Sequence, residues 1–207
     1  MSADAALLPI FVKLSGRRVL IVGGGTVAAS KLDTLRPTGA RVTVVAPAMC
    51  ATMRQAGVEL GVELIERPFQ ESDLDEAWLV VAAATPEVNA AVARAAESRR
   101  LLVNAVDDPP NASAYLGGVV RRGSATIAIS TSGRAPALAG LLREGIEDVL
   151  PSNDELDAWF AEADALKRRW RSTGVPMAER RPELAEAIAG RYCGTFASCR
   201  GRRDDGS

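Results

Sequence analysis

Histidine is absent from all 207 residues. That absence excludes Ser-His-Asp and Cys-His catalysis, imidazole-ligated zinc and a histidine pH switch. Acid–base chemistry must therefore fall to Asp, Glu, Lys, Tyr or Cys. Cysteine is scarce as well. Cys50, Cys193 and Cys199 are an odd set without CxxC spacing, so neither a disulfide framework nor a thiolate metal site is expected, and reduced thiols in a cytoplasm are. Lysine occurs only at positions 13, 31 and 167, which leaves the remaining positive charge to arginine. Arginine is the better residue for bidentate recognition of carboxylates and phosphates. No apolar run reaches membrane-spanning length, and the start MSADAALLPIFVKL has no basic region before its short apolar stretch, so no membrane partner is expected. A balance of 25 basic against 26 acidic residues gives no global attraction to nucleic acid, and none is expected as a partner.

What is present is ample core material, with 47% hydrophobic and 25% charged residues. At about 150 residues per domain, the length predicts one domain plus a substantial extra element. Through the first half, short β-branched runs alternate with helical patterns. RRVLIV at residues 17–22 is followed by a helix over 26–36, and RVTVV at 41–45 by a helix over 48–56. Further strands are expected at 62–66, 78–82 and 101–106, with a helix over 86–100. Continuous apolar strands separated by helices predict an α/β fold with a Rossmann-like parallel sheet covered on both faces. After Asp107-Asp108-Pro109-Pro110 the pattern changes to a hairpin of strands 115–120 and 125–130, joined by residues 121–124. Helices over 135–150, 155–171 and 179–189 follow, and the tail from Arg191 lacks an apolar face.

Three constellations carry chemistry. Gly23, Gly25 and Ala28 fit G-x-G-x-x-G/A after a strand and at the opening of a helix. That context suits a pyrophosphate against backbone and helix N-terminus, and also a plain tight turn. The ribose-reading carboxylate expected about 20 residues on is missing. Residues 44–48 read VVAPA, so backbone at Ala46 and Pro47 is left to do the reading, and NAD cannot be told from NADP. The second constellation, Asn104-Ala105-Val106-Asp107-Asp108-Pro109, falls at the carboxyl end of the fifth strand. Ligands of open α/β sheets bind there, and a carboxylate is the natural general acid or base of a chain without histidine. Asp and Pro are equally ordinary turn residues, and spacing alone leaves both readings open. The third, Ser130-Thr131-Ser132-Gly133-Arg134, precedes a Pro-started helix and suits either an anion nest or simple helix capping.

Taken in order, these segments resemble the precorrin-2 dehydrogenase/sirohydrochlorin ferrochelatase family, the module that begins siroheme synthases. The resemblance starts at LPIF (residues 8–11) and runs through VLIVGGGTVAASK (19–31), VTVVAP (42–47), residues 78–84 and VNAVDDP (103–109). Its most specific stretch is TIAISTSGRAPALAGLLRE (126–144), and it weakens beyond residue 150. The resemblance implies NAD-dependent oxidation of precorrin-2 to sirohydrochlorin, with Asp107 as the catalytic residue. Some members also insert Fe(II), as a substrate, into sirohydrochlorin. The cofactor-binding set expected from it is Gly23, Gly24, Gly25, Thr26, Val27, Ala46, Pro47, Ala83, Asn104 and Val106. Substrate carboxylates are expected to meet Ser130, Thr131, Ser132, Gly133, Arg134 and Arg121, with Arg122 and Arg143 as further candidates, each of which is equally a solvated surface charge. Lys31 matches a family lysine and reads as structural. No resident metal is expected.

The resemblance further implies a homodimer built through the hairpin and following helix, in a cytoplasmic setting. The expected division is a Rossmann domain over 1–112, a strand-helix dimerisation element over 113–150 and a C-terminal helical domain over 151–207. One departure stands out. The family's aromatic-rich strand with a Phe-Pro step is replaced by PNASAYLGG (110–118), whose glycine pair weakens a strand. Two other classes compete: a non-catalytic dimeric NAD(H) sensor, which would need neither Asp107 nor the 130–133 turn, and another small NAD(P)-dependent reductase. The second lacks both Tyr-x-x-x-Lys and histidine as proton donors.

Overall fold

The computed structural model describes residues 6–189. The expected tail, with Cys193 and Cys199, lies outside the described residues. Among the described residues the contacts divide the chain into two units, residues 6–116 with Ser132–Ala135, and Gly117–Thr131 with residues 136–189.

The first unit is built on five parallel strands: β1 (Arg18–Val22), β2 (Arg41–Ala46), β3 (Glu63–Glu66), β4 (Ala77–Ala82) and β5 (Leu102–Ala105). Their order is β3-β2-β1-β4-β5. Helices α1 (Thr26–Leu35), α2 (Ala51–Leu60) and α3 (Pro86–Glu97) make the crossovers. Alternate strand residues feed two cores. Val19, Ile21, Val44 and Val81 pack with Ala28, Leu32 and Met53 on one face, and Leu20, Val22, Val45 and Val80 pack with Val92, Ala96 and Val103 on the other. This double coverage is why the strands read as unbroken apolar runs. The order reverses direction between β1 and β4, so the crevice at a topological switch point opens beyond their carboxyl ends.

Several boundaries differ from the sequence expectation; the helix expected over 86–100 ends at Glu97, ahead of the left-handed Arg100 (φ 55°), and two others have a clear local reason. α2 starts at Ala51, three residues later than expected, because the Cys50 thiol accepts the Met53 N–H and caps the helix. The helix then runs to Leu60 and closes on Gly61, whose φ of 64° is left-handed. The hairpin strand expected from residue 115 begins only at Gly118. Residues 113 and 114 are already committed to β5: both backbone N–H groups donate to the Val103 carbonyl, and the Ala114 carbonyl accepts from Asn104 Nδ2 at 3.0 Å.

In the second unit, β6 (Gly118–Arg122) and β7 (Ala125–Ile129) form an antiparallel pair. Arg121 and Arg122 lie within β6, not in the connection as expected; Gly123 and Ser124 make the turn, and Gly123 donates its N–H to Asn153 Oδ1 at 2.9 Å. α4 (Pro136–Val149) packs on this hairpin through buried Ala139, near which a Cβ on Gly118 would come within 3.3 Å of the Ala139 carbonyl. α5 (Asn153–Thr173) begins with a reciprocal Ser152–Glu155 capping box and ends at Gly174. α6 (Met177–Ala189) is tied to it by Glu183, whose carboxylate accepts from Trp170 Nε1 and pairs with Arg169.

Candidate active site

The turn between β1 and α1 uses its three glycines differently. Gly23 adopts a φ of 133°, and a Cβ there would lie 2.2 Å from the Ala83 carbonyl oxygen at the end of β4. A Cβ on Gly24 would lie 2.1 Å from the Ala48 carbonyl oxygen and 2.9 Å from the Met49 sulfur. Both positions therefore admit only glycine. Hydrogen bonds lock the same junction: Gly23 N–H to the Val45 carbonyl at 2.9 Å, Cys50 N–H to the Gly24 carbonyl at 2.8 Å, and Ala83 N–H to the Val22 carbonyl at 2.8 Å. Gly25 is different. It is the N-cap of α1, makes no side-chain cap bond, and a Cβ built on it meets nothing within 4 Å. Space is thus open beside Gly25 at the start of α1, where Thr26 and Val27 are exposed. At the end of β2, Ala46 is buried and Pro47 exposed.

Beyond the carboxyl ends of β4 and β5 lies a cleft of about 420 Å³, lined by Val27, Ala83, Ala84, Pro86, Asn89, Val106, Asp107, Asp108 and Asn111. It gathers expected residues from three separate segments: Val27, Ala83, and Val106 with Asp107. Asp107 sits at a φ of 55°, a left-handed conformation that Asp tolerates better than most residues. Strained backbone of this kind clusters at functional positions. The exposed Asp107 carboxylate has no hydrogen-bond or ion-pair partner among the described residues, whereas Asp108 accepts from Asn111 Nδ2 at 2.8 Å. Asn104 is 6% exposed; its amide nitrogen is used on Ala114, and its Oδ1 is buried without a donor.

The third constellation is divided. Ser132, Gly133, Arg134 and Ala135 belong to the first unit, and Ser130 and Thr131 to the second. Ser132 and Gly133 both have positive φ, 54° and 74°, and a Cβ on Gly133 would approach Tyr115 to 3.2 Å and Pro109 to 3.4 Å. This turn is thereby packed against the segment that follows Asp107. Of the arginines, Arg121 and Arg134 are exposed. Arg122 donates to the Glu147 carbonyl at 2.9 Å, and Arg143 to the Glu147 carboxylate at 2.8 Å, which ties both into the second unit. Lys31 lies within α1, half-buried. Sequence reasoning passed over Ala84, Pro86, Asn89 and Asn111. Pro86 carries a visible helix-start signal; Asn89, one turn into a helix, carries none. No group of three or more Cys, Asp or Glu side chains among the described residues could hold a metal ion, and no described helix is long and apolar enough to cross a membrane.

Comparison with known proteins fits this geometry. Residues 10–118 match a family model described as "Putative NAD(P)-binding", and residues 122–148 match the sirohaem biosynthesis protein central family. Siroheme synthase 1 of Yersinia enterocolitica is 40% identical over 190 residues, 89% of this chain and 39% of that protein. A siroheme synthase of Sodalis glossinidius is 40% identical over 197 residues, 93% and 41% of the two chains. The chain thus spans about two fifths of the length of these relatives. The solved structure of SirC, a precorrin-2 dehydrogenase, superposes with a TM-score of 0.70 at 24% identity, covering 94% of this chain and 96% of that one, and so shares the fold. The residues present fit a nicotinamide dinucleotide: Gly25 leaves the α1 N-terminus uncovered, and the adjoining cleft is large enough for part of such a ligand. The chain belongs to the putative NAD(P)-binding family, and carries behind it a segment that matches the sirohaem biosynthesis central family.

Proposed function

We propose that this chain oxidises precorrin-2 to sirohydrochlorin, with NAD as the acceptor and Asp107 as the acid–base residue. The observation that carries the reading is the unpaired Asp107 carboxylate, held on left-handed backbone beside the cleft that also takes in Val27 of the dinucleotide turn. The relatives' sirohaem chemistry supports the choice of substrate. Bound nicotinamide supplies a hydride acceptor. Oxidation removes two electrons and two hydrogens from the macrocycle, one as hydride and one as a proton, and Asp107 takes the proton. Gly25 and the first N–H groups of α1 would hold the pyrophosphate, and Ala83 and Val106 would wall the space beside it. Ala46 and Pro47 would face the adenosine end, and Asn104, its Oδ1 buried, would act by fixing the end of β5 through its bond to the Ala114 carbonyl.

NAD is favoured over NADP because Arg54, the first cation after β2, is engaged by both oxygens of Glu66, one at 2.8 Å, and is not free for a 2′-phosphate. The substrate's carboxylates would be met by Arg134, Arg121 and the polar groups at 130–133. The protein works in the cytoplasm as a homodimer through the hairpin and α4. Insertion of Fe(II) into the product is a second activity of the same reading, with the macrocycle's own nitrogens as metal ligands. A sensing role would leave Asp107 without a task. The test mixes the protein with enzymatically generated precorrin-2 and NAD and follows the tetrapyrrole spectrum. NAD-dependent appearance of sirohydrochlorin is expected, and its absence with folded protein and active precursor overturns the reading. Initial rates of Fe(II) insertion, with and without protein, decide the second activity.

A further inference from the structure

Asn89 is 3% exposed, in the first turn and a half of α3, and borders the cleft. A buried amide should satisfy its acceptor and both its donors. The acceptor is spoken for: Oδ1 takes the Ala84 N–H at 3.0 Å, which fixes the backbone leaving β4. The donors are not. Nδ2 has no acceptor among the described residues, and it is not among the side-chain atoms sealed off from solvent, so it reaches solvent where Asn89 borders the cleft. An amide fixed in orientation by its oxygen thus has Nδ2–H to offer at a cleft whose other polar side chains are Asp107, Asp108 and Asn111, the last already donating to Asp108.

Resting on the cofactor reading above, we propose that Asn89 binds the dinucleotide, donating Nδ2–H to an oxygen of its nicotinamide riboside half. In that reading the pyrophosphate would lie at the α1 N-terminus and the adenosine ribose at the end of β2. The other half would then extend over β4 and β5, beside the cleft that Asn89 borders. A hydroxyl or carboxamide oxygen is the acceptor this donor requires. Asn89 also orients the residue 84 backbone, so one side chain shapes the wall and contacts the ligand.

Two readouts test this with NADH alone as probe. In 15N-labelled protein, the Asn89 side-chain amide pair, assigned by its disappearance in Asn89→Asp, should shift on NADH addition; an unmoved pair under saturating NADH overturns the proposal. Asn89→Asp retains an oxygen for the Ala84 N–H and removes both donors, and should weaken NADH binding tenfold or more while the Ala84 amide keeps its position in the spectrum. An affinity within threefold of the unsubstituted chain overturns the proposal. Should Asn89→Asp not fold, Asn89→Ala is judged on the same threshold. Failure of the unsubstituted protein to bind NADH overturns the cofactor reading, and this proposal with it.

Discussion

Asp107 joins an unpaired carboxylate to a left-handed backbone, and the two properties call for different substitutions. Alanine would remove the acid and also strain the turn, since a φ of 55° costs a non-glycine Cβ of the order of 1 kcal/mol. Asparagine accepts that conformation nearly as readily as aspartate and cannot take a proton. Asp107→Asn should therefore fold with an unchanged midpoint, bind NADH normally, and lose roughly 10² or more in turnover of precorrin-2. Retained turnover would remove Asp107 from its role. Beside it, Asp108 is paired with Asn111 and is not an equivalent acid. The sequence showed two adjacent aspartates and could not rank them without the resemblance; in the structure only one of them has a side-chain partner.

At the scale of elements, the glycine turn separates packing from binding. Gly25→Ala places its methyl group in open space and should leave stability within about 0.5 kcal/mol while weakening NADH binding at least tenfold. Gly24→Ala drives a methyl into the Ala48 carbonyl and should cost roughly 2 kcal/mol or more. Urea unfolding and NADH titration of both variants check the contrast, and equal effects of the two would refute it. A second element carries an acid-sensitive contact. Asp73, 5% exposed, accepts from Arg67 Nη1 and from the Gln70 N–H, each at 2.8 Å. The Arg67 guanidinium above all, and then the Gln70 N–H, hold its carboxyl below the usual range against the opposing effect of burial. With the folded value depressed, this contribution is complete above the unfolded pKa of about 3.9 and is lost as pH falls through the lower folded value. Asp73→Asn should cost about 1–3 kcal/mol at neutral pH, a difference that shrinks only below about pH 4. A difference independent of pH would contradict this. The central strands β1, β2 and β4 were legible because both their faces are buried and their runs are mostly apolar, whereas the edge strand β3 (ELIE) has no buried residue. The start of α2 was not, because a cysteine thiol is an uncommon cap. Asn89 was invisible, since only the folded turn after β4 brings the Ala84 N–H to its oxygen.

For the whole molecule, the second unit presents Leu138, Leu141, Leu142 and Val149 of α4 exposed, with Leu141 at 65%. A two-stranded hairpin with one helix is marginal alone. In the proposed homodimer these side chains meet a second copy, and Leu141→Glu should convert a dimer into a monomer in sedimentation velocity with unchanged far-UV circular dichroism. A monomeric unsubstituted chain would refute the dimer. The family was readable from the order of motifs along the chain, whereas the split of the 130–135 segment between units was not, because it depends on Tyr115 and Pro109 receiving Gly133.

That split bears on how the chain can be divided. The polypeptide leaves the first unit after Leu116, returns for the four residues Ser132–Ala135, and leaves again. Its parts are interleaved along the backbone, so no single cut separates them. Ending the chain at residue 116 would strip the cover from Tyr115 and Pro109, a few residues from the proposed acid, and leave a nucleotide-binding half with an unfinished wall. The stretch between the two visits, residues 117–131, is therefore tethered at both ends. Exchange of the hairpin would have to preserve the 132–135 turn that follows it, so the smallest self-contained piece of this chain is larger than its sheet.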